Sequence, residues 1–205
     1  MLRICEYAGR TCYNSYDKMT EDSYSGFLER LESRNHKSPL EHATMTVEVT
    51  TSRDVLAEIT RHRLASFSVQ SQRYVRDNKI GDISFIRPNF WIPQSPPSLD
   101  AKAYCASRGW EQTCEQAERY YKYFLDECGM NPQDARKILP NSTACHLIMT
   151  ANIREWQHIF DLRDSDAAYP EMQTLMREHI LPAAREVYPG VFDNVGKDRK
   201  KDGQN

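Results

Sequence analysis

The chain has 205 residues, and its 27 Lys and Arg against 29 Asp and Glu leave a formal charge of −2. That length suits a single domain, and the charge balance excludes a protein that coats polyanions through general basicity, so any anion site must be local. The charged amino terminus, MLRICEYAGR, and the absence of a long apolar run predict a cytosolic protein with no signal peptide or membrane span.

In chain order, Tyr24, Phe27, Leu28 and Leu31 have helical spacing, with Thr20 as the expected N-cap. After the break at Ser38-Pro39, residues 43–50 (ATMTVEVT) alternate apolar and polar, which predicts a half-buried strand. Ser52 is then expected to cap a helix through Val55, Leu56 and Ile59, delivering Arg61 to Arg63 at or beyond its end. Residues 83–87 (ISFIR) read as a further strand, followed by a proline-rich loop.

Trp110, Cys114, Ala117, Tyr121, Phe124, Leu125 and Cys128 recur at helical spacing as far as Gly129, giving the longest helix, over about 103–128. Its aromatic stripe reads as core or subunit interface rather than a cofactor box. Asn131-Pro132 starts a short helix carrying Arg136, which Pro140 stops. TACHLIMTA, residues 143–151, reads as a buried strand. Asn152 with Glu155 resembles a capping box, launching a helix on which Arg154 and His158 share a face and Arg163 comes at the end. A last helix is expected from about Pro170 to Val187, kinked at Pro182. Residues 1–195 form one expected domain and 196–205 a polar tail. Helices interleaved with a few strands, one clearly alternating, predict an α/β domain of α+β type with a mainly antiparallel twisted sheet flanked by helices.

The eight glycines form neither a GxGxxG nor a GxxxxGK cluster, so a phosphorylated ligand must be held by side chains. Residues 61–75, RHRLASFSVQSQRYV, hold three arginines and no carboxylate. Between Arg53 and Arg76, five arginines meet two acids, Asp54 and Glu58. Arginine offers a planar fork that grips phosphate or a pyrimidine carbonyl edge. A helix end explains an isolated RHR through the helix dipole, but not Ser66, Ser68, Ser71 and Arg73 beyond it.

Arg61-His62-Arg63, followed after seven residues by Ser71 and then Arg73, resembles the signature of the flavin-dependent thymidylate synthases, the ThyX family. His36-Lys37-Ser38-Pro39-Leu40-Glu41-His42 is similar to that family's upstream HxTPxEH segment, and the resemblance runs from Ala8 to about Val187. It implies FAD held by His36, Ser38, Arg61, His62, Arg63, Val69, Asn152, Arg154 and His158. It implies dUMP held by Glu58, Arg61, Val69, Gln70, Ser71, Gln72, Arg73, Arg136 and Arg163, with Arg163 the catalytic group against the uracil ring. Glu58 stands where many relatives have glutamine, and Val69 where many have glutamate or glutamine. The first strand usual in the family is not expected, because the chain begins almost directly with the helix over the segment ending RTCYNS. The resemblance also implies a homotetramer with sites shared between subunits.

The implied reaction is reductive methylation of dUMP to dTMP, with methylenetetrahydrofolate as carbon donor, NADPH-reduced FAD as hydride source, and tetrahydrofolate released. A non-catalytic nucleotide or RNA binder using the arginine loop is the alternative; it needs stacking aromatics, for which Phe67 and Tyr74 are the nearby candidates. The six cysteines have irregular spacing and no CxxC pair, which points to reduced structural thiols. Cys145, beside His146, is expected to be a packed core thiol rather than a nucleophile. His36, His42, His62 and Glu41 lack a metal-ligand spacing.

Overall fold

The computed structural model describes residues 1–72, 83–93 and 101–195. Alternation builds the sheet. Strand β1, Thr44–Ser52, buries Met45 and Val49 and exposes Thr46, Glu48 and Thr50. With β2, Ala65–Val69, and β3, Ala144–Asn152, it forms a three-stranded antiparallel sheet in the order β1-β3-β2. The apolar run in β3 is buried on one face only: Cys145, Leu147, Met149 and Ala151 point inward while Ile148 is exposed. On the opposite face His146 Nε2 lies 2.7 Å from Glu48 Oε1, and the hydroxyls of Thr46 and Thr150 are 2.9 Å apart.

The chain groups into two compact units. The first comprises Met1–Val47, Thr60–Phe67 and the chain from Ile148. It carries α1 (Leu2–Thr11), α2 (Ser23–Ser33), a 3-10 turn at Ser38–His42 and α6 (Ile153–Arg163). Between these last two in the chain, α3, α4 and α5 belong to the second unit, described below. Trp156 and Phe160 on α6 are fully buried, Phe160 edge-on to Phe192 with ring centres 5.5 Å apart. Each buried ring contributes about 2 kcal/mol or more of transfer free energy, and the Trp156 indole N–H is satisfied by Met45 O at 2.9 Å.

Thr20 is not the cap of α2. The Ser23 hydroxyl donates to the fully buried Glu6 carboxylate at 2.8 Å, and Thr20 N–H donates back to Ser23 Oγ, so the helix begins at Ser23. Glu6 also accepts from Arg10 Nε at 2.7 Å, a pair that keeps both charges satisfied out of water. The last helix runs as α7 (Pro170–Thr174), a π turn (Leu175–Ile180) and α8 (Leu181–Val187). The widened turn lies just before Pro182, which has no N–H to continue an α ladder.

The second unit comprises Glu48–Ile59 and Ser68–Leu147. It holds α3 (Arg53–Ile59), α4 (Ala101–Asp126) and α5 (Pro132–Ala135), the last continued by a 3-10 turn at Arg136–Ile138. Ser52 does not cap α3 through its oxygen; its hydroxyl donates to the Asp54 carboxylate, a stronger acceptor two residues on. On α4 the buried positions are Ser107, Cys114, Tyr121 and Leu125, one stripe at intervals of seven, seven and four. Tyr121 and Leu125 of this stripe pack with Ile83 and Ala135, while Cys128 falls beyond the helix and is exposed. Gly129, at φ +64°, turns the chain where a side chain would be strained. The expected strand at 83–87 is not formed. Only an isolated antiparallel bridge, Phe85 with Thr143, joins it to its neighbour, and Pro88 ends any ladder.

Among the described residues no helix is long and apolar enough to cross a membrane.

Candidate active site

In the first unit, Asn152 caps α6 by accepting from Glu155 N–H at 2.8 Å. That cap fixes the phase of the helix, so Arg154 and His158, one turn apart, lie together on its exposed face. Both line a cavity of about 600 Å³ with Asn152, Glu155, Asp161, Lys37, Glu41 and Leu64. Lys37 and Glu41 come from the 36–42 segment, and Leu64 directly follows Arg63. His36, Ser38, Arg61 and Arg63 are all exposed in the same unit; His36 and Ser38 flank the lining residue Lys37, and Arg63 precedes Leu64. Arg154 Nη1 is paired with the Glu41 carboxylate.

His62 stands apart from its arginine neighbours. It is only 6% exposed and is not among the cavity's lining residues, although its ring meets the His158 ring edge-on at 6.3 Å. Its Nε2 accepts from Arg163 Nε at 2.9 Å, so the ring is neutral and its proton sits on Nδ1. That nitrogen faces Glu155 Oε1 at 3.6 Å. Burial first, and Arg163 and His158 next, hold the His62 pKa down at about 4. Arg163, the last residue of α6, is thus oriented by a side chain 101 residues earlier.

In the second unit a smaller cavity, about 240 Å³, is lined by Arg53, Gln72, Arg136, Lys137, Asn141 and Thr143, with Leu139 and Pro140. Val69 ends β2 exposed, Gln70 N–H donates to His146 O at 2.8 Å, and Ser71 is half-buried, so pairing with β3 carries the loop towards Gln72. Glu58 is half-buried on α3. Arg73 lies outside the described residues.

Sequence reading did not assign Lys37, Glu41, Leu64, Glu155 or Asp161 to the first cavity, nor Arg53, Lys137, Asn141 or Thr143 to the second. Glu41 and Lys37 stood inside a quoted motif, and Arg53 inside the counted arginine excess. Glu155 was legible only as a cap.

The chain matches the family described as "Thymidylate synthase complementing protein" over residues 1–190. It is 30% identical over 198 residues to a probable flavin-dependent thymidylate synthase of Mycobacterium phage D29, covering 94% of this chain and 82% of that protein. It is 31% identical over 196 residues to the flavin-dependent thymidylate synthase of Geobacter sulfurreducens, covering 92% and 79%. The chain belongs to the flavin-dependent thymidylate synthase family. Among solved structures, ThyX from Helicobacter pylori complexed with FAD and dUMP superposes with a TM-score of 0.70 at 25% identity, covering 96% of this chain and 94% of that one.

In this flavin-dependent thymidylate synthase family member, the buried thiols are poor nucleophiles. Cys5, Cys114 and Cys145 are buried, and burial raises the pKa of each. Cys145 Sγ is turned to Ser52 O at 3.7 Å, and no cysteine lines either cavity among the described residues.

Proposed function

We infer that the protein is a flavin-dependent thymidylate synthase, converting dUMP to dTMP with methylenetetrahydrofolate as carbon donor and FAD, reduced by NADPH, as hydride source. The observation that carries this reading is Arg61-His62-Arg63 with Ser71 and Arg73, in a chain whose family match spans residues 1–190.

The donor set of the first cavity fits a dinucleotide. About 600 Å³ falls within the usual size of a cofactor pocket. Lys37 and Arg154, with the exposed Arg63 beside Leu64 and Arg61 two residues before it, offer cations for a diphosphate that no glycine-rich loop would cradle. Glu155 and Asp161 offer acceptors for hydroxyl and ring N–H groups. When bound, FAD supplies the hydride chemistry. His36, Ser38, Asn152, Arg154 and His158 hold and orient it. Arg163 binds the uracil carbonyl edge and stabilises negative charge there as carbon 5 attacks, a task for a preorganised donor rather than a nucleophile. Neutral His62 keeps the Arg163 fork in place. Gln70, Ser71, Gln72, Arg73 and Arg136, with Glu58 and Val69, hold the nucleotide. The working form is a homotetramer with sites shared between subunits.

The test is direct: purified protein incubated with FAD and desalted should retain a perturbed flavin absorbance, and with dUMP, methylenetetrahydrofolate and NADPH should form dTMP. Complete loss of flavin on desalting together with no dTMP would overturn the reading.

A further inference from the structure

Arg163 is the last residue of α6, at the end of a helix, where turns fray most readily. Its Nε is anchored on His62, but one hydrogen bond near the tip of so long a side chain does not fix the backbone from which it emerges. The next residue, Asp164, is in a poor place for a carboxylate. It caps the carboxyl end of α6, where the helix dipole repels an anion, and it is buried. Helix stability does not account for it.

Its partner does. Arg177 Nε donates to the Asp164 carboxylate, and Arg177 Nη2 donates to the Asp164 backbone carbonyl at 2.7 Å. One guanidinium thus grips both the side chain and the main chain of the residue beside Arg163. Asp166 adds only a long contact, 3.4 Å from Nη2, through an exposed carboxylate. Arg177 lies in the π turn Leu175–Ile180, and such turns within helices concentrate at functional sites. Four residues before it, Gln173 Nε2 donates to Ser165 O at 2.5 Å and to Ala168 O at 3.1 Å. The Ser165 hydroxyl donates back to Leu162 O at 2.8 Å, so residues 164–168 are pinned between α6 and the last helix, all within the first unit. Arg177 is not among the residues lining either cavity, and direct ligand contact does not explain it.

We propose that Arg177 is a positioning residue for Arg163: by clamping Asp164 it fixes the end of α6, so that the Arg163 fork, turned by His62, stays aimed at the uracil edge. The consequence for the chemistry rests on the thymidylate synthase reading, whereas the mechanical coupling of Arg177 to Arg163 does not. Displacing a reacting group by about 1 Å typically costs about a hundredfold in rate. Loss of the clamp loosens the fork without removing it, so a smaller loss is expected.

The experiment compares wild type, Arg177→Met, Arg177→Lys, Arg163→Ala and the Arg163→Ala/Arg177→Met double variant, with rates expressed per folded molecule and folding checked by circular dichroism. Arg177→Met should lower kcat for dTMP formation about tenfold while flavin reduction by NADPH is unchanged. Arg177→Lys, keeping charge without the fork, should fall between. In the Arg163→Ala background, Arg177→Met should cost nothing further, because the residue through which it acts is gone. Should Arg177→Met fail to fold, Asp164→Asn, which keeps the shape and removes the charge that Arg177 grips, carries the same test with an expected loss of about three- to tenfold. Independently of activity, NMR of the Arg163 Nε–H, assigned by its disappearance in Arg163→Ala, should show that proton shifted and exchanging at least about tenfold faster once the clamp is broken. A kcat within about twofold of wild type, an Arg163 Nε–H signal that does not respond, or the same loss repeated in the Arg163→Ala background each overturns the proposal. Should wild type form no dTMP while the Arg163 signal still depends on Arg177, the coupling stands and the thymidylate reading falls.

Discussion

The two cavities handle charge in opposite ways. In the first, Arg154 is paired with Glu41, and Lys37 shares the wall with Glu155 and Asp161. Close by, the Arg163 Nε is spent on His62. In the second, Arg53 and Arg136 face a space that no carboxylate lines among the described residues. A mixed-sign wall suits a large ligand carrying anionic, hydroxyl and ring N–H groups, whereas an unneutralised one suits a compact anion. The first must exchange internal pairs for ligand contacts, while in the second the buried Arg53 Nε has no acceptor among the described residues to give up.

The sharpest break of this comparison is at Arg163, where the first unit's pairing orients the fork. Arg163→Ala should lower dTMP formation about a hundredfold or more, near 3 kcal/mol of barrier, while FAD binding changes little. Arg163→Lys should rescue only in part. Assaying flavin reduction by NADPH and dTMP formation separately decides it: unchanged dTMP output would make Arg163 a helix-end arginine satisfying carbonyls.

Next comes acid. His62 has a folded pKa of about 4, below the usual value of 6.5, so between those values the unfolded chain binds the extra proton and the native state does not. Its contribution to stability is therefore full above about pH 6.5 and lost as pH falls towards 4, amounting to about 2 kcal/mol between pH 7 and pH 5. Urea unfolding at the two pH values should show that loss in wild type and much less of it in His62→Asn. An identical pH dependence in both proteins would locate the acid sensitivity elsewhere.

The smallest effect is expected at Glu41. Its pair with Arg154 is about half exposed, 53% for the arginine and 47% for the glutamate, so screening limits it to less than about 1 kcal/mol. Glu41→Gln should free Arg154 and tighten FAD about two- to fivefold. Weaker FAD binding in that variant, measured by flavin fluorescence, would mean that Glu41 serves the ligand directly rather than competing with it.

Periodicity in the sequence was enough to locate β1, α4 and α6, because each has an inward stripe with a constant local period, and Asn152 named its own cap. The same method misplaced the start of α2 and made a strand of residues 83–87. Ser23 was recruited by Glu6, seventeen residues earlier, and strand formation depends on a partner's full ladder rather than on β-formers alone.

What the sequence by itself determined was the inventory: a local arginine excess, hydroxyl and amide donors behind it, no glycine cradle, and the spacing that marks the family. Only the tertiary structure decided which of those donors are already engaged. His62 and Arg163 meet across 101 positions, Glu41 and Arg154 across 113, and Arg53 reaches the cavity wall through Asn141. Local spacing sets the face on which a side chain emerges, because helix and strand periods are short-range properties. Whether an arginine finds a carboxylate, an imidazole or an open cavity is settled by chain segments a hundred residues away, which no local period encodes.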